Sequence, residues 1–593
     1  MFERNPMLQY RNEAPKRVYE TGLVKSPLAF LEKSGTTVFL CACGEAHILL
    51  DFDGEMVGGL EVTLTCTADA HVRIDYEEHP DYALRKEPLT CNWYQLVVDQ
   101  YDLTAGTHTI RSRGRRGFRF VNITVTSSEN VRLEDVTAVN GGWPVVPRGM
   151  FRCSDDRLNR IWDISAATAR ACMQTFYEDG VKRDGLLWLG DYRFTFPGAW
   201  YAFGDHVLAL RSLRMMRDSQ YPCGAIPACA ARGGGEQHNS PSGISYMPNV
   251  PGDGQNRWII PNYMCDYISG LWEYVACTGD TAVLPEFMDS ARKAAEFMLD
   301  MTDLNSPGRW RIDDFASKRD GYGFNYTIHM DVNISPLSGY GSKGALLMEM
   351  LLAMRALKRL AELVSDAPLA SWADGQALRL DRHIEAYYRD RRFGSYTDDV
   401  RQRFTGINQY VAPRAALAGK VDELGIQRMI RCVMPRVGFS MAWRIEALFH
   451  LGYTAEALRD IYTAWGKMLD ADSRTCWERL DLPEMNETHW YDALGSYCHG
   501  WSSGPAWQLP KWITGVQNVG MGFDRVVIRP RLAHLTWAEA TVPTPNGEIF
   551  VRAEQGRTGL AVTVDLPPEV RECTLCGPDG HSQKITASGV YNV

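Results

Sequence analysis

The chain has no run of apolar residues approaching the roughly 20 needed to cross a bilayer, so a membrane-spanning helix is not expected. It has no excess of positive charge either. Its 63 Lys and Arg against 72 Asp and Glu leave a net charge of −9, which argues against a nucleic-acid or anionic-membrane partner. No HExxH or EF-hand spacing occurs, and the Gly233-Gly234-Gly235 run and Gly252-x-Gly254 lack a preceding strand and a P-loop lysine. Neither a metal nor a nucleotide cofactor is expected. Fifteen cysteines are scattered, and the CxxC of Cys573/Cys576 has no second pair or paired histidines to complete a zinc site. The opening MFERNPMLQYRNEAPKR carries no apolar core of the signal-peptide kind. Together with the unpatterned cysteines this makes a cytoplasmic location the expectation.

What is present is bulk and aromaticity. With 593 residues, 45% of them hydrophobic, the chain can hold several cores. Its 17 Trp and 26 Tyr can line pockets. To about Gly149 the sequence reads as short alternating strands such as HVRIDYEE and FRFVNITVTS, broken by Gly, Asp and Asn turns. From Ser154, read as a helix cap, the period becomes helical, and the stretches Pro197–Arg217, Met264–Cys277 and Ser342–Val364 are predicted helices. No fixed-period repeat is visible, which disfavours a solenoid. Strands return beyond Gly520, as in GEIFVRAEQ and GLAVTVDLP. The pattern predicts a multidomain chain: an N-terminal β-sandwich over 1–140, a linker over 141–153, a central (α/α)6 barrel over 154–518 and a C-terminal β-sandwich over 519–593.

The densest chemistry lies in Asp179–Asp191, DGVKRDGLLWLGD. It carries Asp179, Asp184 and Asp191, the cations Lys182 and Arg183, and Trp188, between two apolar helical runs. Charges against an apolar wall must be paired or used. An aromatic plate beside clustered carboxylates suits a sugar site, the plate taking the apolar ring face and the acids the hydroxyls and protons. The plainer alternative is an ion-paired loop pinning two helices. Arg183 next to Asp184 favours the ionised carboxylate, the wrong direction for a proton donor, unless Asp179 and Asp191 converge on it. Further downstream, Glu478 stands between Trp477 and Arg479, with Glu484 and Glu487 as rival carboxylates. His499 precedes a Gly/Ser-rich turn. Pro261-Asn262-Tyr263 to Asp266 and Trp310–Asp314 place polar groups beside aromatics in what read as loops.

These phrases, in this order, resemble glycoside hydrolase family 78, the α-L-rhamnosidases. DGVKRDGLLWLGD is similar to the family's Asp-Cys-Pro-x-Arg-Glu…Gly-Asp signature, TCWERLD (Thr475–Asp481) to its Thr-x-x-Trp-Glu-x-Trp, and SYCHGWSSGPAW (Ser496–Trp507) to its late histidine box. The resemblance implies an exo-acting, inverting hydrolysis of terminal α-L-rhamnose from a glycoside or oligosaccharide. One acid would protonate the leaving oxygen and a second carboxylate, roughly 6.5–9.5 Å away, would activate water. Position by position, Asp184 falls on the general acid and Glu478 on the general base. Asp179, Arg183, Trp188, Asp191, Asp313, Trp477 and His499 fall on substrate-binding positions. Two departures stand out: Gly180-Val181 replaces Cys-Pro, and Asp184 replaces Glu, shortening the reach by about 1.5 Å. They keep open a hydrolase for a different sugar, or a carbohydrate-binding protein with a decayed site. A homodimer is also left open, because quaternary contacts leave no local signature.

Overall fold

The computed structural model describes residues 2–84, 98–182, 185–230, 258–302, 304, 325–329, 334–336, 343–392, 394–397, 409–480, 495–557 and 559–593. Arg183, Asp184, Asp313, Glu484 and Glu487 lie outside the described residues.

The alternating N-terminal segments form one sheet system built on the long strand Ala46–Cys66. Its first half lies between Arg17–Gly22 and Arg116–Ser127, and its second half between Val131–Gly142 and Gly106–Arg111. The change of partners follows a register shift between Asp51 and Met56, where Asp53 takes a left-handed φ of 58°. A bulge of this kind bends a strand so that each half finds its own neighbours. The alternation then sends Ile48, Leu50, Phe52, Leu60, Val62 and Leu64 into a core with Val72, Ile74, Phe118 and Ile123.

Two kinds of helix follow. Leu189–Phe203, Pro261–Thr278, Lys343–Leu363, Val411–Leu417, Gly438–His450 and Pro505–Trp512 are buried on nearly every face. Between them in sequence come one-sided helices such as Val207–Asp218, which buries Leu208, Ala209, Ser212, Leu213 and Met216, and Thr454–Asp470. An all-round apolar helix must be enclosed by others, whereas a striped one faces water on one side. The enclosed helices touch in succession. Leu189–Phe203 packs on Pro261–Thr278, that on Lys343–Leu363, and that on Val411–Leu417. Gly438–His450 comes next, and it touches both Leu189–Phe203 and the short turn Gly500–Ser502. Pro505–Trp512 also packs on Leu189–Phe203.

The run Pro197–Arg217, expected as one helix, is two. Gly204, with a left-handed φ of 64°, caps the first. Asp205 then accepts from the backbone N–H of Leu208 and Ala209, at 3.3 and 3.2 Å, to start the second. The cap of the first long helix, Asp156–Cys172, is Asp155 and not Ser154. The Asp155 carboxylate accepts from the N–H of Arg157 and Leu158, while Ser154 Oγ accepts from Thr536 N–H of the C-terminal region at 2.9 Å. Two adjacent residues could each cap, and the hydroxyl is engaged elsewhere.

The C-terminal strands form a five-stranded and a four-stranded sheet, whose apolar faces join the same core as the helices. The edge of the five-stranded sheet is Met150–Cys153, paired antiparallel with Trp537–Pro543. The stretch 141–153 therefore contains a strand of the C-terminal sheet. No helix among the described residues is long and apolar enough to cross a membrane.

Candidate active site

Asp179 is buried and bonded to Leu186 through both backbone and side chain. Its N–H donates to Leu186 O and its Oδ1 accepts from Leu186 N–H, both at 3.0 Å. Gly185, at a φ of 60°, donates to Gly180 O at 2.9 Å and completes the turn. The left-handed φ there explains the glycine. Gly180 fills the place of the family's cysteine for a different reason. A Cβ on it would stand 2.9 to 3.1 Å from Ser496 Oγ, Ser496 Cβ and His499 Cδ2, so backbone and neighbour approach too closely for a side chain.

Trp188 precedes the helix Leu189–Phe203, and Asp191 lies in its first turn. Tyr263 meets the edge of Trp188 at 6.5 Å between ring centroids, and Gly190 leaves room for the Tyr263 ring, which a Cβ would meet at 2.2 Å. The helix predicted from Met264 starts three residues earlier, so Tyr263, expected in a loop, joins Asp266 in the first turns of Pro261–Thr278, with Pro261 at the first helical position. Burial, and then the nearby charges of Asp191, Asp266, Asp179 and Glu478, hold the Tyr263 phenol well above its ordinary value. The hydroxyl thus stays a donor facing carboxylates from both motifs.

His499 joins those carboxylates. Its Nε2 is 3.8 Å from Asp179 Oδ2 and its Nδ1 3.5 Å from Asp191 Oδ1, with the ring 4.2 Å from that of Trp501. All three residues are buried. Asp179, Asp191, His499 and Trp188 are thus brought into one neighbourhood.

The late phrases meet the early one through backbone. Gly500 N–H donates to Asp179 O at 2.6 Å. On its other side the same segment is bound to the TCWE phrase: His499 N–H to Cys476 O at 2.9 Å, Glu478 N–H to Ser496 O at 2.8 Å, and Ser496 N–H to Glu478 Oε2 at 3.1 Å. The phrase is not a helix end, and Glu478 is only 9% exposed. Trp477 is buried and held by two neighbours. Its indole N–H donates to Ser473 Oγ at 2.9 Å and its ring packs edge-on against Tyr497.

Residues 147–509 match the bacterial alpha-L-rhamnosidase 6 hairpin glycosidase domain, and residues 515–592 the bacterial alpha-L-rhamnosidase C-terminal domain. The chain belongs to the α-L-rhamnosidases of glycoside hydrolase family 78. Within that family it is 24% identical to an α-L-rhamnosidase of Streptomyces avermitilis over 549 residues, covering 88% of this chain and 47% of the relative. An α-L-rhamnosidase of Alteromonas sp. (strain LOR) is 27% identical over 142 residues, covering 23% of this chain and 14% of the relative. The chain thus spans about half the length of the first of these rhamnosidases and less of the second. A family 78 rhamnosidase of Bacillus sp. GL1 shares the fold with a TM-score of 0.73 at 24% identity, over 90% of this chain and 53% of that one. The rhamnosidase from Klebsiella oxytoca with rhamnose bound does so with a TM-score of 0.67 at 20% identity, over 85% and 96%.

Two charged residues in and beside the rhamnosidase motif have partners that no local pattern signals. Lys182 is buried, with its Nζ 3.0 Å from Glu77 Oε2 and 3.4 Å from Glu78 Oε2 of the N-terminal sheet. Glu178, immediately before the motif, is ion-paired with Arg115. Burial pushes the Glu178 carboxyl up to about 7, with Arg115 opposing the rise. Between its ordinary 4.5 and about 7, the unfolded chain gives up this proton while the folded chain keeps it, so stability falls as pH rises. Thermal melting of wild type against Glu178→Gln across that window should show a steeper decline in wild type. Parallel profiles would remove Glu178 as the source.

Proposed function

We propose that the protein is an exo-acting, inverting glycoside hydrolase releasing terminal α-L-rhamnose from a glycoside or oligosaccharide, with Asp184 as general acid and Glu478 as general base. The observation that carries this reading is the Ser496–Gly500 segment, hydrogen-bonded to Asp179 on one side and to Cys476 and Glu478 on the other. It brings the proposed base beside Asp179, in the motif that bears the proposed acid. Inversion needs room for one water between the two carboxyls.

In this reading the rhamnose ring rests on Trp188, while Asp179, Asp191 and His499 take its hydroxyls, joined by Arg183 and Asp313. Buried carboxylates and an imidazole already oriented by one another meet a sugar hydroxyl with little reorganisation. Trp477 serves from behind, its anchored indole shielding the Glu478 segment. A desolvated carboxylate is the stronger base. The likeness to a rhamnosidase solved with rhamnose bound agrees with this sugar. The frame we assign to the site is the (α/α)6 barrel between two β-sandwiches, supported by the succession of enclosed helices that returns to Leu189–Phe203.

Proton NMR during hydrolysis of an aryl α-L-rhamnoside tests the reading. The first-formed sugar should be β-L-rhamnose, with the α anomer appearing only by mutarotation. The α anomer appearing first would overturn inversion. Turnover of fucoside, arabinoside or glucoside analogues in preference to the rhamnoside would overturn the sugar.

A further inference from the structure

We propose that Glu78, which belongs to the N-terminal sheet region, is a positioning residue that ties Lys182, within the Asp179–Asp191 motif, to the base-bearing segment and so keeps Glu478 in register with that motif. This rests on the function proposed above. Glu78 Oε2 accepts from Tyr497 N–H at 2.7 Å and Oε1 from Ser496 Oγ at 3.3 Å. Ser496 is the residue whose N–H binds the Glu478 carboxylate and whose carbonyl accepts from Glu478 N–H. The same Glu78 Oε2 lies 3.4 Å from Lys182 Nζ, and Lys182 immediately precedes Arg183-Asp184. One carboxylate from outside the helical region thus holds Lys182 through its side chain and the base segment through the backbone N–H of Tyr497.

The surroundings leave this contact little freedom. The side chains of Glu78 and Lys182 are each 1% exposed. Gly117, on the strand Arg116–Ser127, presses against the loop backbone, where a Cβ would stand 2.7 to 2.8 Å from Val181 and Lys182. Apolar side chains of the same volume would hold two domains together as well as a buried ion pair does, and often better. What an ion pair with directed hydrogen bonds adds is orientation. Hydrolysis needs it, because a misplacement of about 1 Å lowers the rate on the order of 100-fold. Glu77 provides an internal comparison, since it pairs with Lys182 at 3.0 Å while the bonds to Ser496 and Tyr497 come from Glu78.

The test compares Glu78→Leu, Glu78→Gln, Lys182→Met and Glu77→Gln by kinetics on an aryl α-L-rhamnoside and by amide hydrogen exchange. Glu78→Leu and Lys182→Met should each lower kcat about 100-fold with KM within about twofold, and the double variant should be no worse than either single one. Glu78→Gln, which keeps an acceptor for Tyr497 N–H, should fall in between. Exchange should quicken in both 179–187 and 495–500 for Glu78→Leu, and only in 179–187 for Glu77→Gln. Wild-type kcat in Glu78→Leu would overturn the proposal, as would losses that track melting temperature alone in all four variants. Should wild type hydrolyse no rhamnoside, the functional reading fails on its own. The exchange experiment then still decides whether Glu78 couples the two segments, and a response in only one of them sinks it.

Discussion

Replacing Glu478 by Gln should lower kcat on α-L-rhamnosides about 1,000-fold while leaving KM close to that of wild type, the signature of a lost general base. Gln keeps an oxygen at the position that accepts Ser496 N–H, so the segment it shares with Ser496 should stay in place and the variant should still bind rhamnose. Steady-state kinetics with rhamnose-binding calorimetry on the same preparation separates the two effects. A variant within tenfold of wild-type kcat would move the base elsewhere, with Glu484 and Glu487 next in line. Loss of binding together with rate would instead make Glu478 a substrate ligand.

Asp184→Asn should reveal the acid through the leaving group. A dinitrophenyl rhamnoside departs without a proton and should lose no more than about tenfold, whereas an alkyl rhamnoside should lose about 1,000-fold. The plot of log kcat/KM against leaving-group pKa should therefore steepen sharply in the variant. An equal loss on both substrates would mean that Asp184 binds or positions and that the proton comes from another group. Asp184→Glu extends the carboxyl by about 1.5 Å toward the reach usual in the family. If the loop is built for the shorter side chain, that change should lower the rate on alkyl substrates, since reacting groups tolerate little displacement.

Local pattern made some of this molecule legible and left other parts hidden. The strands around HVRIDYEE and the enclosed and one-sided helices follow from period and composition, which act within a few residues. The three phrases of the family resemblance could be ordered along the chain, but nothing in them states that Gly500 N–H binds Asp179 O, or that His499 stands between Asp179 and Asp191. Those contacts span hundreds of residues and are fixed by packing. Lys182 shows the same limit. In sequence it is one cation among clustered charges, yet its partners are Glu77, the last residue of a strand of the N-terminal sheet, and the adjacent Glu78. Ser154 and Asp155 show a smaller ambiguity, two capping residues side by side with the choice settled by what the C-terminal region needed. Pro261 could have marked a helix start, because proline suits the first helical position, and reading it so would have placed Tyr263 and Asp266 on one helix.

The pairing of Met150–Cys153 with Trp537–Pro543 carries a consequence for the order of synthesis. As the ribosome delivers the chain, this short segment emerges ahead of the helices but finds its mate only in a strand made after them. Until then its backbone N–H and C=O groups are exposed to any other nascent edge, the situation in which chaperones are recruited and intermolecular pairing begins. Arg148 beside it also reaches forward, donating to Gly547 O at 2.8 Å, so the later-made C-terminal sheet fastens the entrance of the helical region twice. Completion of the helical region's entrance is thereby made to wait for strands that follow it in sequence.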